Sequence, residues 1–145
     1  MLSRALANSP KKTSSIRMTK YIIDSYAWIE YLEGSEKGGK VESIISDGSN
    51  EIYSHILTVS EVIGKTKRRD MNIESAFSAV TLFSKLIAID VDSARNAGLF
   101  HAEMRKTAKD FGLADAFILI SARRMNAKFV TGDPHFKSFK ETIMI

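Results

Sequence analysis

The feature that most constrains the fold is an alternation of short apolar runs with longer segments of helical periodicity. The apolar runs span residues 20–24, 51–57, 86–91, 128–131 and 142–145. Between them, apolar residues recur every three or four positions, which is typical of amphipathic helices. Strands that are almost continuously apolar and separated by helices favour a parallel sheet covered on both faces. The sequence therefore predicts an α/β fold, a three-layer α/β/α sandwich with a central, mainly parallel five-stranded sheet.

Local capping signals predict where the helices begin. Thr58 is expected to open the helix after the second strand, Asn72 to cap the next helix, and Asp92 to cap the helix after the third strand. Residues 113–125 are strongly apolar and predict a helix that is buried over much of its surface.

The net positive charge of the chain comes from its N-terminal segment. The 145 residues include 21 basic and 17 acidic side chains, a net charge of +4. Residues 1–17 hold four of the basic side chains and no acid, so residues 18–145 are formally neutral. We expect residues 1–17 to be a disordered basic extension, either a dispensable or non-native start upstream of Met18 or an organelle transit peptide. The folded domain is expected to span residues 18–145.

Cysteine content and hydropathy exclude several classes of protein. The chain has no cysteine, which excludes disulfide frameworks, thiol catalysis and zinc–thiolate sites and fits a reducing compartment. No apolar run reaches the roughly 18 residues that a membrane span needs. We therefore expect a cytoplasmic protein that does not act in a membrane.

Four acidic residues stand close to the predicted ends of strands or the first turns of helices. They are Asp24 at the end of the first strand, Glu61 after the second, Asp115 at the start of helix 113–125, and Asp133 after the fourth. Each has a simpler explanation as a helix-capping acid. Because open parallel sheets bind ligands outside the carboxyl ends of their strands, we expect the four side chains to converge there.

Such a cluster has a preferred partner. Four neighbouring carboxylates repel one another unless a divalent cation neutralises them. With oxygen ligands only, Mg²⁺ or Mn²⁺ fits better than zinc. An ion of this kind can activate a water and stabilise the charge that develops on a phosphate. The four acids therefore predict hydrolysis of phosphodiester bonds.

Four segments in the same order resemble those of the PIN-domain ribonucleases, among them the short VapC-type toxins of toxin–antitoxin pairs. The segments are YIIDSYAWIEYL, TVSEV, GLADAFILISA and TGDPHF, and the resemblance covers residues 19–145. It assigns metal binding and catalysis to the acids Asp24, Glu61, Asp115 and Asp133.

The resemblance also implies an activity, a cofactor and partners. It implies a Mg²⁺-dependent endoribonuclease that acts on RNA, is usually a homodimer, and is inhibited by a cognate antitoxin whose tail occupies the site. Thr131 matches the hydroxyl residue usual two positions before the fourth acid, and Ser25 matches one that often follows the first. Tyr26 departs from the family, which commonly has a small Ser or Thr there.

Two alternative functions stay open at this point. A housekeeping RNA-processing nuclease would carry the same acids, and a non-catalytic protein-binding module would use them only as helix caps. Among the other residues, His135 is a candidate for contact with a bound phosphate. The basic clusters at residues 65–69, 105–109 and 123–128 are interpreted as solvated surface, with a phosphate-binding rim as the alternative.

Two apolar helical faces are expected to belong to the core. One carries Trp28 and Tyr31, and the other carries Phe77, Val80 and Phe83. A partner-binding role is the alternative use of these residues.

Overall fold

Five strands and six α-helices alternate along the chain in the computed structural model, which describes residues 18–145. The strands are β1 (Thr19–Ile23), β2 (Asn50–His55), β3 (Lys85–Ile87), β4 (Lys128–Thr131) and β5 (Thr142–Met144). The helices are α1 (Ser25–Glu33), α2 (Glu36–Ser46), α3 (Ile56–Arg68), α4 (Ile73–Phe83), α5 (Val91–Met104) and α6 (Leu113–Met125), followed by a 3-10 turn at Pro134–Phe136. The prediction for residues 1–17 lies outside the described residues.

The strands form one sheet in the order β3-β2-β1-β4-β5, and every pairing is parallel. Successive residues of a strand face opposite sides of the sheet. Ile23 and Val130 accordingly pack beneath α1–α4, and Ile22 and Phe129 pack beneath α5 and α6. The predicted three-layer α/β/α sandwich is confirmed, with a sheet that is wholly parallel.

The strand order determines where a ligand site can form. From β1 the chain builds outward to β2 and β3, then crosses to the other side of β1 to form β4 and β5. The order therefore reverses between β1 and β4, and their carboxyl ends border the crevice in which open parallel sheets bind ligands.

Two predicted helix starts are wrong. β2 ends at His55, whose Nδ1 accepts the Leu57 N–H at 3.1 Å and thereby caps α3, so Thr58 does not open that helix. The cap of α5 is Asp90, whose Oδ1 accepts the Ser93 N–H at 2.7 Å, in place of the predicted Asp92. In both places apolar residues continue past the end of the strand, and this hides the boundary.

Other local predictions are confirmed. Asn72 accepts the Ser75 N–H at 2.8 Å and caps α4. Helix α6 and strand β4 have the predicted limits. Asp133 caps the 3-10 turn by accepting the His135 N–H at 2.9 Å.

The predicted core is confirmed in part. Trp28 and Val80 are buried, and Tyr31 packs against them as a partly buried residue. The core interpretation is wrong for Phe77 and Phe83, which are 47% and 48% exposed. From residue 18 onward, no helix has both the length and the apolar character that crossing a membrane requires.

Candidate functional site

Four carboxylates converge at the carboxyl edge of the sheet. They are Asp24 directly after β1, Glu61 on α3, Asp115 in the first turn of α6, and Asp133 directly after β4. Electrostatic repulsion links Asp24 with Glu61 and Asp115, and Asp115 with Asp133, and it raises pKa values in the cluster. The structure therefore brings together the four acids that the sequence singled out.

Thr131 connects the two acids that follow the central strands. Its Oγ1 donates to Asp24 Oδ2 at 2.7 Å and accepts the Asp133 N–H at 3.0 Å. Asp24 is 8% exposed, and burial raises its pKa although the Thr131 hydroxyl opposes this rise. Asp24 stands at the start of α1 but makes no side-chain cap, so the capping explanation fails for this acid.

The two carboxylate oxygens of Glu61 differ in their surroundings. The Ser25 hydroxyl donates to Glu61 Oε2 over a long 3.4 Å contact, whereas Glu61 Oε1 is buried and has no hydrogen-bond partner among residues 18–145. Burial raises the pKa of Glu61, and the charge of Asp24 raises it further. A buried carboxylate oxygen without a donor is costly, and a bound cation would satisfy it.

Asp115 serves two purposes at once. Its Oδ2 accepts the Gly112 N–H at 3.1 Å, so the expected cap at the start of α6 is present. Burial raises the pKa of Asp115, the Gly112 N–H opposes this, and Asp133 raises it again. An acid serving only as a cap at an exposed helix end would have no cause for a raised pKa.

His135 lies beside the fourth acid, as its position in the sequence predicts. Its Nδ1 is 2.8 Å from Asp133 Oδ1, and its ring is largely exposed. The other two histidines have structural partners: His55 caps α3, and His101 Nε2 is 3.0 Å from the Phe111 carbonyl oxygen.

Two contacts of the site, made by Lys65 and Tyr26, are absent from the sequence predictions. Lys65 Nζ donates to Ser25 Oγ at 3.0 Å, so the interpretation of the first basic cluster as solvated surface is wrong for this residue. The sequence does contain one indication of this contact: Lys65 lies four residues after Glu61 and therefore on the same face of one helix. The Tyr26 ring covers Gly132 so closely that an added Cβ would lie 2.1 Å from a ring carbon. Tyr26 therefore lies against the backbone between Thr131 and Asp133.

The oxygen atoms of the four acids and the two hydroxyls are of the kind that a hard divalent ion prefers. The candidate ligand atoms on the four acids, Ser25 and Thr131 are carboxylate and hydroxyl oxygens, and within residues 18–145 Glu61 Oε1 is a buried acceptor without a partner. Within residues 18–145, no three His, Cys, Asp or Glu side chains are close enough to bind one ion together. Mg²⁺ commonly binds one or two carboxylates and keeps several waters, which such an open arrangement permits.

Comparisons with known proteins agree with this geometry. The structure is similar to VapC20 of Mycobacterium tuberculosis, described as a sarcin-ricin loop cleaving toxin, with a TM-score of 0.68 and 14% identity over 83% of this chain and 95% of that chain. It is also similar to DNA-bound VapBC of Salmonella typhimurium, with a TM-score of 0.66 and 17% identity over 88% and 98% of the two chains. A third similar structure is VapBC2 of Rickettsia felis bound to promoter DNA, with a TM-score of 0.65 and 17% identity over the same shares.

At these low identities, the TM-scores show a shared fold. No curated protein sequence matches the chain significantly. The family model described as PIN domain matches residues 21–141, which include all four acids and most of the domain. The chain therefore belongs to the PIN-domain family.

Proposed function

We propose that this protein is a Mg²⁺-dependent endoribonuclease that hydrolyses phosphodiester bonds in RNA. The observation that carries the proposal is the convergence of Asp24, Glu61, Asp115 and Asp133 at the point where the strand order reverses. Burial and mutual repulsion raise the pKa of the first three, a costly arrangement that a catalytic site would justify. RNA as substrate is supported by the likeness to a toxin described as cleaving the sarcin-ricin loop.

The residues of the site have separable roles in this proposal. Asp24, Glu61, Asp115 and Asp133 would hold Mg²⁺, or Mn²⁺ in its place, directly or through water. When bound, the ion supplies an activated water and neutralises charge on the phosphate. Thr131 fixes the orientation of Asp24 relative to Asp133, and Ser25 contacts Glu61. His135 lies where it could donate to a phosphate oxygen.

The proposal predicts RNA cleavage that depends on a divalent ion and on Asp115. Purified protein is incubated with a mixed single-stranded and structured RNA in Mg²⁺, in Mn²⁺ and in EDTA. The Asp115→Asn variant keeps an oxygen for the Gly112 N–H but loses the charge, and cleavage should disappear. Asp92→Asn is the matched control, because Asp92 lies in the first turn of α5 and outside the site. Cleavage by folded Asp115→Asn at the rate of the native protein would contradict the proposal.

We further propose that the protein is the toxin of a VapBC-type pair and binds a cognate antitoxin. The likeness to VapBC proteins and to a toxin–antitoxin complex from Klebsiella pneumoniae supports this partner. A small reading frame next to the gene, whose product binds the protein and stops RNA cleavage, is the expected result. Cleavage without any such partner would favour an RNA-processing nuclease. Partner binding by a folded protein that cleaves no RNA would favour a non-catalytic module.

A homodimer is the second partner proposal. Several apolar side chains are exposed around the edge strand β3 and the segments that flank it. They are Phe77, Leu82, Phe83, Leu86, Ile89 and Val91. An edge strand with apolar neighbours is a common place for association, and a second copy of the chain would cover this surface.

A further inference from the structure

Lys65 brings a positive charge into the acidic site. It lies on α3 one helical turn after Glu61, and its Nζ donates to Ser25 Oγ at 3.0 Å. Ser25 Oγ in turn contacts Glu61 Oε2 at 3.4 Å. Ser25 is almost fully buried and Lys65 is partly buried, so this ammonium is not a freely solvated surface charge. The three side chains form one short chain of polar contacts.

The charge of Lys65 acts on one side of the site. It lowers the pKa of both Asp24 and Glu61, against the effect of burial. The basic groups that lower the pKa of Asp115 are instead His135 and His101. Lys65 therefore partly neutralises the Asp24–Glu61 side, whereas the Asp115–Asp133 side has no comparable contact with an ammonium group among the described hydrogen bonds.

We propose that Lys65 supplies a positive charge to the Asp24–Glu61 side of the site and thereby limits the site to one divalent ion. This inference rests on the proposed function, because it requires that the acids bind metal. The ammonium group lies beside two of the four acids, and it would repel a further divalent ion held by Asp24 and Glu61, because like charges in a partly buried site repel strongly. Lys65 is thus a positioning residue: it orients Ser25 and Glu61 and sets the number of ions bound.

The test counts bound Mn²⁺ from the electron paramagnetic resonance signal of the free ion during titration. The native protein should bind one Mn²⁺. Lys65→Met removes the charge and should allow two, and Lys65→Gln, which keeps a donor for Ser25 without the charge, should also allow two. Lys65→Arg keeps the charge and should bind one. Lys67→Met is the matched control, since Lys67 is exposed on the same helix, and it should bind one.

A second measurement needs no metal. In EDTA near neutral pH, Lys65→Met should melt at a lower temperature than the native protein, because the Asp24–Glu61 pair loses its counter-charge. Saturating Mn²⁺ should recover the melting temperature, and Lys67→Met should melt like the native protein in both conditions. Equal melting of Lys65→Met and the native protein in EDTA would overturn the proposal.

The outcomes separate this inference from the function on which it rests. Two Mn²⁺ in the native protein, or one in Lys65→Met, would overturn the role of Lys65 and leave a metal-dependent nuclease intact. No Mn²⁺ bound by the folded native protein would overturn the metal-dependent function, and the Lys65 proposal with it.

Discussion

Thr131 is a single buried hydroxyl that organises two carboxylates. It is fully buried, donates to Asp24 and accepts from the backbone of Asp133. A hydroxyl at the end of a central strand can reach both neighbours because β1 and β4 are adjacent and parallel. The role of Thr131 therefore depends both on its hydroxyl group and on its place at the end of β4.

Thr131→Val should disrupt the site while preserving the shape of the side chain. The Asp24 carboxylate loses its donor and the Asp133 N–H loses its acceptor, which should cost about 1–3 kcal/mol in the free energy of unfolding. Urea denaturation measures this loss, and RNA cleavage should fall as well. Thr131→Ser keeps the hydroxyl and is the control. Equal stability and activity of Thr131→Val and the native protein would contradict this role.

The acids of the site are expected to lower the stability of the metal-free protein. The pKa of Asp115 is raised in the folded state, chiefly by burial. Its ionised form therefore disfavours folding at pH values above the raised pKa, and this penalty disappears as pH falls to the ordinary carboxyl value. Asp24 and Glu61 have raised pKa values and behave in the same way.

Asp115→Asn should consequently be more stable than the native protein in EDTA near neutral pH. The gain should shrink as the pH is lowered toward the ordinary carboxyl pKa of about 4, because the penalty from the raised pKa of Asp115 applies only above that value. Burial lowers the pKa of His55, so protonation of this residue at low pH also destabilises the fold. Because the native protein and the variant share this effect, it cancels in the difference between their free energies of unfolding. Urea unfolding at both pH values measures the difference. A less stable variant at neutral pH would refute the argument.

At the scale of elements, α1 and α2 approach so closely that one position excludes every side chain. A Cβ on Gly38 would lie 2.1 Å from the Glu30 carbonyl oxygen, a backbone atom that cannot turn aside. The adjacent Gly39, in the same helix, has open space around it. The contact matters for the site because α1 begins at Ser25, directly after Asp24.

Gly38→Ala and Gly39→Ala should therefore change stability in opposite directions. Gly38→Ala forces the helices apart and should cost more than about 2 kcal/mol. Gly39→Ala should stabilise α2 by up to about 1 kcal/mol, because alanine favours helix more than glycine does. Thermal and urea unfolding of the two variants measure the contrast. A similar effect of both substitutions would contradict the close packing of α1 on α2.

The helices and strands also show which parts of the fold can be predicted from the sequence. Helix α6 and strand β4 were predicted at their limits, because a buried helix followed by a short apolar run leaves little ambiguity. The start of α3 was missed because Ile56 and Leu57 suit either strand or helix. Asp24 and Asp133 are predictable because each closely follows the apolar run of a strand, at β1 and β4. The contact of Lys65 with Ser25 is not, because it depends on how α3 packs on α1.

At the scale of the molecule, the sheet gathers residues that are far apart in the chain. Thr131 and Asp24 are separated by 107 positions, yet they share a hydrogen bond across β1 and β4. Acids from both halves of the sheet meet at this reversal of strand order, as expected for a ligand site in an open α/β fold. The exposed apolar surface lies at the edge strand β3. Strand β2 separates β3 from the crevice between β1 and β4.

The proposed homodimer predicts a mutation that separates the copies. Leu82 is 77% exposed on α4 next to β3, and Leu82→Glu should shift the mass in solution from two chains to one. Met144→Glu is the control, because Met144 is exposed on β5 at the opposite edge of the sheet. Analytical ultracentrifugation measures both. Dissociation by Met144→Glu alone, or a monomeric native protein, would contradict an interface at β3.

The most direct test of the central claim is the single-turnover rate of RNA cleavage in Mg²⁺ for four single variants. They are Asp24→Asn, Glu61→Gln, Asp115→Asn and Asp133→Asn. Each should lower the rate by at least about 100-fold while the protein stays folded, EDTA should abolish cleavage by the native protein, and Asp92→Asn should cleave normally. Native rates in the folded acid variants, or undiminished cleavage in EDTA, would contradict a metal-dependent nuclease built on these four carboxylates.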